Sequence, residues 1–380
     1  MIIWRYLLTQ YIKVLSLSAI AFIAILLTSR LDDIAHFASL GANSIYVLYF
    51  TLYQIPYILP IVIPISALIS ALLLIQRLSS SHELTALRAS GLSLKAILAP
   101  ILIFAAYLSA LNFYIVSEVA TESHLVANTL KSQLRQINPL LVLHNKHMMR
   151  LKGIFFDSFG ESKIGESASD AIIAIPGKEG KQMNLIIAKN LQASDSSFLA
   201  SFLTYITPLQ KGGSDQFDPF FIENMEKSTT PIQDFSKTLH KKIFSINNDQ
   251  LTLSFLLARI ESEKNSLQQA KELFKKEEIK TLQRNVNRGY TEIIRRISIA
   301  LAVFTFTLMG LSFGASISRT RSNKGVVFLI GLAALYLACF FVAKSIEYQL
   351  MASFILYIAP HCIILFFSWF NLTKLSRGIE

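Results

Sequence analysis

Six stretches of this chain are apolar over about the thickness of a bilayer, and that constrains the fold more than any motif in it. They run from Val14 to Ser29, Val47 to Ile75, Ala96 to Ser117, Ile297 to Ser318, Gly325 to Ala343 and Leu350 to Leu372. In hydrocarbon every backbone amide must be bonded within its own segment, so each stretch is expected as a transmembrane helix. Composition agrees: 52% of the 380 residues are hydrophobic and only 16% are charged, too few to clothe a soluble surface. The first stretch follows Arg5 and Lys13, as a secretory signal would. However, ILLTSRLDD lacks the small residues that a signal peptidase cuts after, so a retained helix is expected.

Orientation follows from lysine and arginine, because positive flanks stay cytoplasmic. One side carries Arg5, Lys13, Arg77, Arg88, Lys95, Arg319, Arg321, Lys324, Lys374 and Arg377, while the short loops of the other hold Arg30 and Lys344. Both termini are therefore expected inside, with a long segment outside. Arg295 and Arg296, at the outer start of the fourth helix, oppose this bias without reversing it. The net charge of +11 reads as topology, and no compact basic and aromatic motif argues for nucleic acid. Cys339 and Cys362 both fall in apolar helices and read as inert core residues.

The chain divides into residues 1–117 with three membrane helices, an outer segment 118–293, and residues 294–380 with three more. Glu118 to Ile137 is a polar stalk prolonging the third helix. Over about 139–248 short β-rich runs alternate with turn signals: LLVLH, GIFFDSF, DAIIAIP, MNLIIAKNL, SSFLASFLTYITP and QFDPFFIEN, with Pro176 to Gly180 and Lys211 to Asp215 among the turns. A small β-sandwich or curled sheet suits that spacing. From Leu251 to Arg288 the period turns helical, with Leu253, Leu256, Ile260, Leu267, Ala270 and Phe274 on one face. That helix is either a solvated lead back to the bilayer or a partner-binding surface.

The second apolar run would span about 43 Å as a straight helix, against about 30 Å of hydrocarbon. Pro56, Pro60 and Pro64 recur at i, i+4, so their missing amides fall on one face and neighbouring helices must cover the freed carbonyls. A simple bend accounts for this; a moving wall around a cavity is the functional alternative. At the outer rim stand Arg30, Arg295, Arg296 and Lys344. Each suits a snorkelling anchor, and together they suit a phosphorylated lipid headgroup.

Between the second and third runs lies SSSHELTALRASGLS, Ser79 to Ser93. Ser80-x-x-Glu83 fits a capping box, Gly91 a left-handed residue after the helix end, and Ser93 a cap for the third membrane helix. Leu84 and Leu87 form an apolar edge beside Glu83 and Arg88. A plain amphipathic connector is the bland reading. No G-x-x-x-x-G-K-[ST] loop occurs, FGESKIGES being only superficially similar, so this chain is not expected to hydrolyse ATP or to bind a cofactor. His144 and His147 form an H-x-x-H without an acidic partner, too little for a metal site.

The segment Glu83 to Ser93, the opening MIIWRYLL and the run YTEIIRRISIALAVFTFTLMGLSFG from Tyr290 to Gly314 resemble the LptF/LptG (YjgP/YjgQ) family of lipopolysaccharide export permeases, the start and the loop leaning towards F. The order of three helices, an outer β-domain and three helices resembles it over essentially the whole chain. The resemblance implies an inner-membrane protein with six transmembrane helices and an inserted periplasmic β-jellyroll-like domain. It implies a heterodimer with a paralogous permease, a separate ATPase LptB that uses the ATP, and the bridge proteins LptC and LptA. It makes the loop at about 80–91 the coupling helix, with Glu83, Leu84, Leu87 and Arg88 as its ATPase-coupling residues, and Arg30 the nearest match to substrate-contacting cations. It also implies that the first and fifth helices border a lateral gate. The loop RLDDIAHFASLGA departs from the family in lacking a lysine cluster. From the residues alone, a permease for another amphiphile such as a lipoprotein or phospholipid, or a non-transporting membrane scaffold, stay open.

Overall fold

The computed structural model describes residues 2–39, 44–137, 149–151, 154–160, 167–176, 183–194, 197–208, 220–231, 247–272, 276–315 and 324–377. Among these, six helices are long and apolar enough to cross a membrane, each built on one of the six apolar runs. In chain order the helices are α1 (Ile2–Thr28), α2 (Leu31–Ser39), α3 (Ser44–Ser80), α4 (Glu83–Ala89), α5 (Leu94–Tyr114), α6 (Ala120–Ile137), α7 (Leu253–Glu272), α8 (Lys276–Gly314), α9 (Lys324–Ser345) and α10 (Leu350–Ser376). They outrun the apolar limits because polar residues at the ends prolong the same backbone ladder at no cost once they reach water. A π-helical turn, Ile115–Val119, joins α5 to α6.

The described residues form two compact units: 1–31 with 51–126 and 247–380, and 32–50 with 127–246. These boundaries differ from the divisions at 117/118 and 293/294 read from hydropathy. The segment Leu251 to Arg288 belongs to the helical unit because its apolar positions are spent on packing: Leu256, Ile260, Leu267 and Ala270 are all buried. Phe274 lies outside the described residues, as do LLVLH, the turn at Lys211 to Asp215, His144, His147, Arg319 and Arg321.

In the helical unit α8 is the central post, 78% buried along its apolar window, whereas the window of α1 is 6% buried and that of α9 22%. One cluster unites Leu7 and Tyr11 of α1 with Leu74, Ile75 and Leu78 of α3, Leu84 of α4, Ile97 of α5 and Leu375 of α10. A second joins Leu68 of α3, Phe306 and Met309 of α8, Tyr336 of α9 and Ile364 of α10. Close approach of α3 to α8 needs Gly310: a Cβ there would sit 2.6 Å from the Leu68 carbonyl oxygen. Gly314, one turn on, repeats the contact against Leu72 and Ile75, as small residues four apart do at membrane helix interfaces. Cys339 is half-buried and Cys362 exposed, which corrects the expectation of two core cysteines. In a membrane helix an apolar residue faces lipid as readily as core, so hydropathy does not imply burial.

The second unit holds an antiparallel sheet of β1 (Met149–Leu151), β2 (Ile154–Ser158), β3 (Ser167–Pro176), β4 (Met183–Ser194), β5 (Ser197–Pro208) and β6 (Phe220–Pro231). Every strand pairs with its sequence neighbour, so the described strands of the β-domain make a meander. Its buried face is built from small and branched residues, among them Ala168, Ala171, Ile173, Ala188 and Ala200. Asp170 and Phe202 have φ of 51° and 53°. Both drop out of the pairing, as does Lys189 between them, yet the register is the same on either side, so a line of unpaired residues crosses β3, β4 and β5 without a bulge. In the same unit Phe37 of α2 stacks on Phe50 of α3 at 4.2 Å, and Lys131 of α6 pairs with Asp33 at 3.4 Å.

Candidate functional site

The proline face of α3 opens one wall of a cavity of about 380 Å³ in the helical unit. Pro64 cannot donate to the carbonyl of Pro60, and that carbonyl is instead reached by the Asn112 side-chain amide of α5 at 3.3 Å. The same amide lies 3.4 Å from the Ile299 carbonyl of α8, so one buried asparagine ties three helices. Pro60 and Pro64 line the cavity and Pro56 does not. Its inner wall is apolar, with Ile61, Ile65, Ile299, Phe306 and Phe340. Its other end is charged: Arg30, Arg288, Arg295 and Lys344 face it together with Asp249, Glu292 and Glu347.

Three of the four rim cations read from the sequence thus line one cavity, and Arg296 does not. The guanidinium of Arg30 lies 5.2 Å from the Tyr57 ring centre, a cation–π contact, and Tyr57 stacks on His124 at 4.3 Å. Arg295 donates to both carboxylate oxygens of Glu292, at 2.7 and 2.6 Å, a planar fork on one acid. Arg296 donates to Glu292 at 3.0 Å but is fully buried. Its other donors reach the carbonyls of Ser117, Asn248 and Leu251 at 3.4, 3.0 and 2.7 Å. The π turn explains the first of these, because a widened turn leaves the Ser117 carbonyl to side-chain donors, Thr121 as well as Arg296. Arg296 is therefore a structural clamp and not a rim cation. One carboxylate serves two guanidiniums, so the pair keeps a net positive charge. Arg288 is neutralised by Glu347 at 2.8 Å, while Lys344 is exposed with no ion-pair partner among the described residues.

At the far end of α3 sits α4. The expected capping box is absent: the helix begins at Glu83, preceded by His82 at φ 58°, with no side-chain cap. Ser80 still belongs to α3 and its hydroxyl bonds back to the Arg77 carbonyl at 3.0 Å, leaving nothing for the next helix start. Gly91 takes φ +87° and Ser93 accepts from the Ala96 amide at 3.2 Å, so the helix exit and the cap of α5 follow the sequence pattern. Leu84 is buried, and Leu87 is half-buried against the same core. The Glu83 carboxylate accepts from the Tyr6 hydroxyl of α1 at 3.1 Å, and Arg88 donates to the Leu375 and Ser376 carbonyls ending α10, at 3.3 and 3.1 Å. What α4 shows to solvent is a flat strip of Thr85, Ala86 and Ala89 beside Glu83.

The sequence reading missed one further polar group. His361 of α10 is buried, its Nε2 3.0 Å from the Ser298 hydroxyl and its Nδ1 3.1 Å from that of Thr305. A lone histidine in an apolar run, with two hydroxyls seven residues apart on a facing helix, was the available signal.

The model of the lipopolysaccharide export system permease family LptF/LptG matches residues 5–374, which takes in α4, both cavity walls and the inserted sheet. The chain belongs to that family. No match was found among curated protein sequences. As an LptF/LptG permease with six apolar helices it is a multi-pass inner-membrane protein. The family's shared work, export of lipopolysaccharide, needs a place for a molecule with phosphates at one end and acyl chains at the other. In this LptF/LptG chain the described residues include a cavity with Arg30, Arg295 and Lys344 at its charged end and an apolar wall at the other.

Proposed function

We propose that this chain is the membrane subunit of an ATP-driven machine that draws lipopolysaccharide from the outer leaflet of the inner membrane and passes it to a periplasmic β-rich bridge. The observation that carries the reading is one cavity with an apolar well and a cationic mouth. Guanidinium forks suit phosphate oxygens, and Ile61, Ile65, Phe306 and Phe340 suit acyl chains. The bare surfaces of α1 and α9 support pairing with a paralogous permease, and the antiparallel sheet supports a docking role towards LptC and LptA. Nucleotide chemistry falls to LptB, because this sequence has no phosphate loop. The strip Thr85, Ala86 and Ala89 offers LptB a small-residue seat, with Glu83 at its edge, on the cytoplasmic side where lysine and arginine place it.

A photo-crosslinking residue placed at Arg30 or Lys344, in the assembled complex with labelled lipopolysaccharide, tests this. Strong labelling before ATP addition and weaker labelling after it are expected, against a background from Phe366, which is exposed on α10 and does not line the cavity. Labelling no stronger than at Phe366, or indifferent to ATP, would refute the assignment.

A further inference from the structure

Two acids with arginine partners line the cavity, and they are held very differently. Glu292, with 10% of its side chain exposed, accepts the fork of Arg295 and a third bond from Arg296. Glu347 meets Arg288 through a single Oε1 to Nε contact at 2.8 Å, with the two side chains 27% and 40% exposed. An ion pair this open is weak and readily exchanged. The backbone that carries Glu347 is nevertheless fixed, at the corner between α9 and α10. Asn287 donates to the Tyr348 carbonyl at 3.0 Å, and the Arg284 guanidinium lies 5.9 Å from the centre of the Tyr348 ring. Gln283 donates to Asn287 Oδ1 at 3.1 Å and so orients that amide, while Ser353 bonds to the Ile346 carbonyl at 2.9 Å from the α10 side. Residues 284, 287 and 288 are three and four apart on one face of α8, so the face that grips the corner also presents Arg288 to its acid. The carboxylate is a tethered anion, weakly bonded but always at hand.

Resting on the lipid-handling reading above, we infer that Glu347 is a built-in stand-in for the lipid phosphate: it occupies Arg288 in the empty cavity, yields it to an arriving phosphate and takes it back as the lipid leaves. A phosphate can offer Arg288 two oxygens in a planar fork where Glu347 uses one. Lys344, three residues before Glu347 and on the same cavity, adds a second cation to that ligand. Once displaced, Glu347 stays beside the bound phosphate because its corner is held by Asn287, and like charges so placed repel. The exchange lowers affinity and speeds release.

The test uses the assembled complex in proteoliposomes with fluorescent lipopolysaccharide, its affinity measured before ATP and its release rate after. Glu347→Gln keeps shape and removes the competing charge. It is expected to tighten binding roughly three- to tenfold and to slow release by a similar factor, and Glu347→Asp to restore both. In an Arg288→Met background the same Glu347→Gln change is expected to alter affinity less than about twofold, because there is no guanidinium left to free. Asn287→Ala, which loosens the corner from outside the cavity, is expected to tighten binding in the same direction. No gain in affinity from Glu347→Gln, or an equal gain with and without Arg288, overturns the stand-in while leaving the transport reading standing. Failure of the unaltered complex to bind lipopolysaccharide at all overturns both.

Discussion

Replacing Glu292 by glutamine removes one charge from the most heavily bonded node in the helical unit, and its effect can be worked from the contacts. The carboxylate accepts three hydrogen bonds, from Arg295 at 2.7 and 2.6 Å and from Arg296 at 3.0 Å. Charge-assisted bonds contribute about 1.5–3 kcal/mol each, but glutamine keeps one acceptor oxygen and Arg295 retains 23% side-chain exposure through which it rehydrates. Arg296 has no such recourse at 0%. The net cost is that of stranding one buried guanidinium, about 3–5 kcal/mol. In detergent this is expected to lower the apparent melting temperature by roughly 5–15 °C. Arg296→Met added to Glu292→Gln removes the stranded charge, so the double variant is expected to melt higher than Glu292→Gln alone, with a coupling of about 1–3 kcal/mol. A Glu292→Gln protein melting within about 2 °C of the parent, or singles that simply add, would show that the node carries no such load.

Asn112→Leu leaves the Pro60 carbonyl without a donor and is expected to cost about 1–3 kcal/mol; in a Pro64→Ala background, where α3 regains its own amide, chemical denaturation should show a smaller loss. Gly310→Ala brings a methyl to 2.6 Å from the Leu68 carbonyl oxygen, so it is expected to push α3 from α8 and lose about 1–3 kcal/mol, read as a lower melting temperature. Arg88→Ala frees α4 from the end of α10; co-purification with the ATPase is expected to persist while lipopolysaccharide release per ATP falls, and an unchanged ratio would remove Arg88 from the transmission path.

The membrane helices were legible because hydrocarbon leaves the backbone one option, and the strands because alternation and turns bracket them. Facing was harder. Arg295 and Arg296 look alike in sequence, yet successive residues on a helix point about 100° apart, so one turns to the cavity and the other into the protein. The capping box failed for a related reason: α3 runs through Ser80, and a hydroxyl inside a helix serves that helix first. Of the four residues assigned to coupling, Leu84 and Leu87 pack into the chain's own core and Arg88 bonds α10. What α4 leaves exposed is the small residues between them. Asn112 and His361 escaped notice because a single polar residue barely lowers the hydropathy of a long run, although the Asn112 amide donates to two helices and both His361 nitrogens meet hydroxyls once the helices pack.

The bonds around α4 and the cavity define which parts can move together. Through Arg296, α8 is clamped to the π turn and to the carbonyls of Asn248 and Leu251, so it is a poor candidate for displacement. By contrast α1 has no proline or glycine in its 27 residues, packs along a narrow stripe, and is a rod about 40 Å long. Its first turns hold Tyr6, bonded to Glu83, and Leu7, packed in one cluster with Leu84; just past its other end stands Arg30 on the cavity wall. One unbroken helix thus links the Glu83 contact to Arg30, whereas the wall carrying Arg295 belongs to the clamped post. On the proposed lipid-handling reading, moving the first cation while the second is held would loosen a phosphate gripped between them.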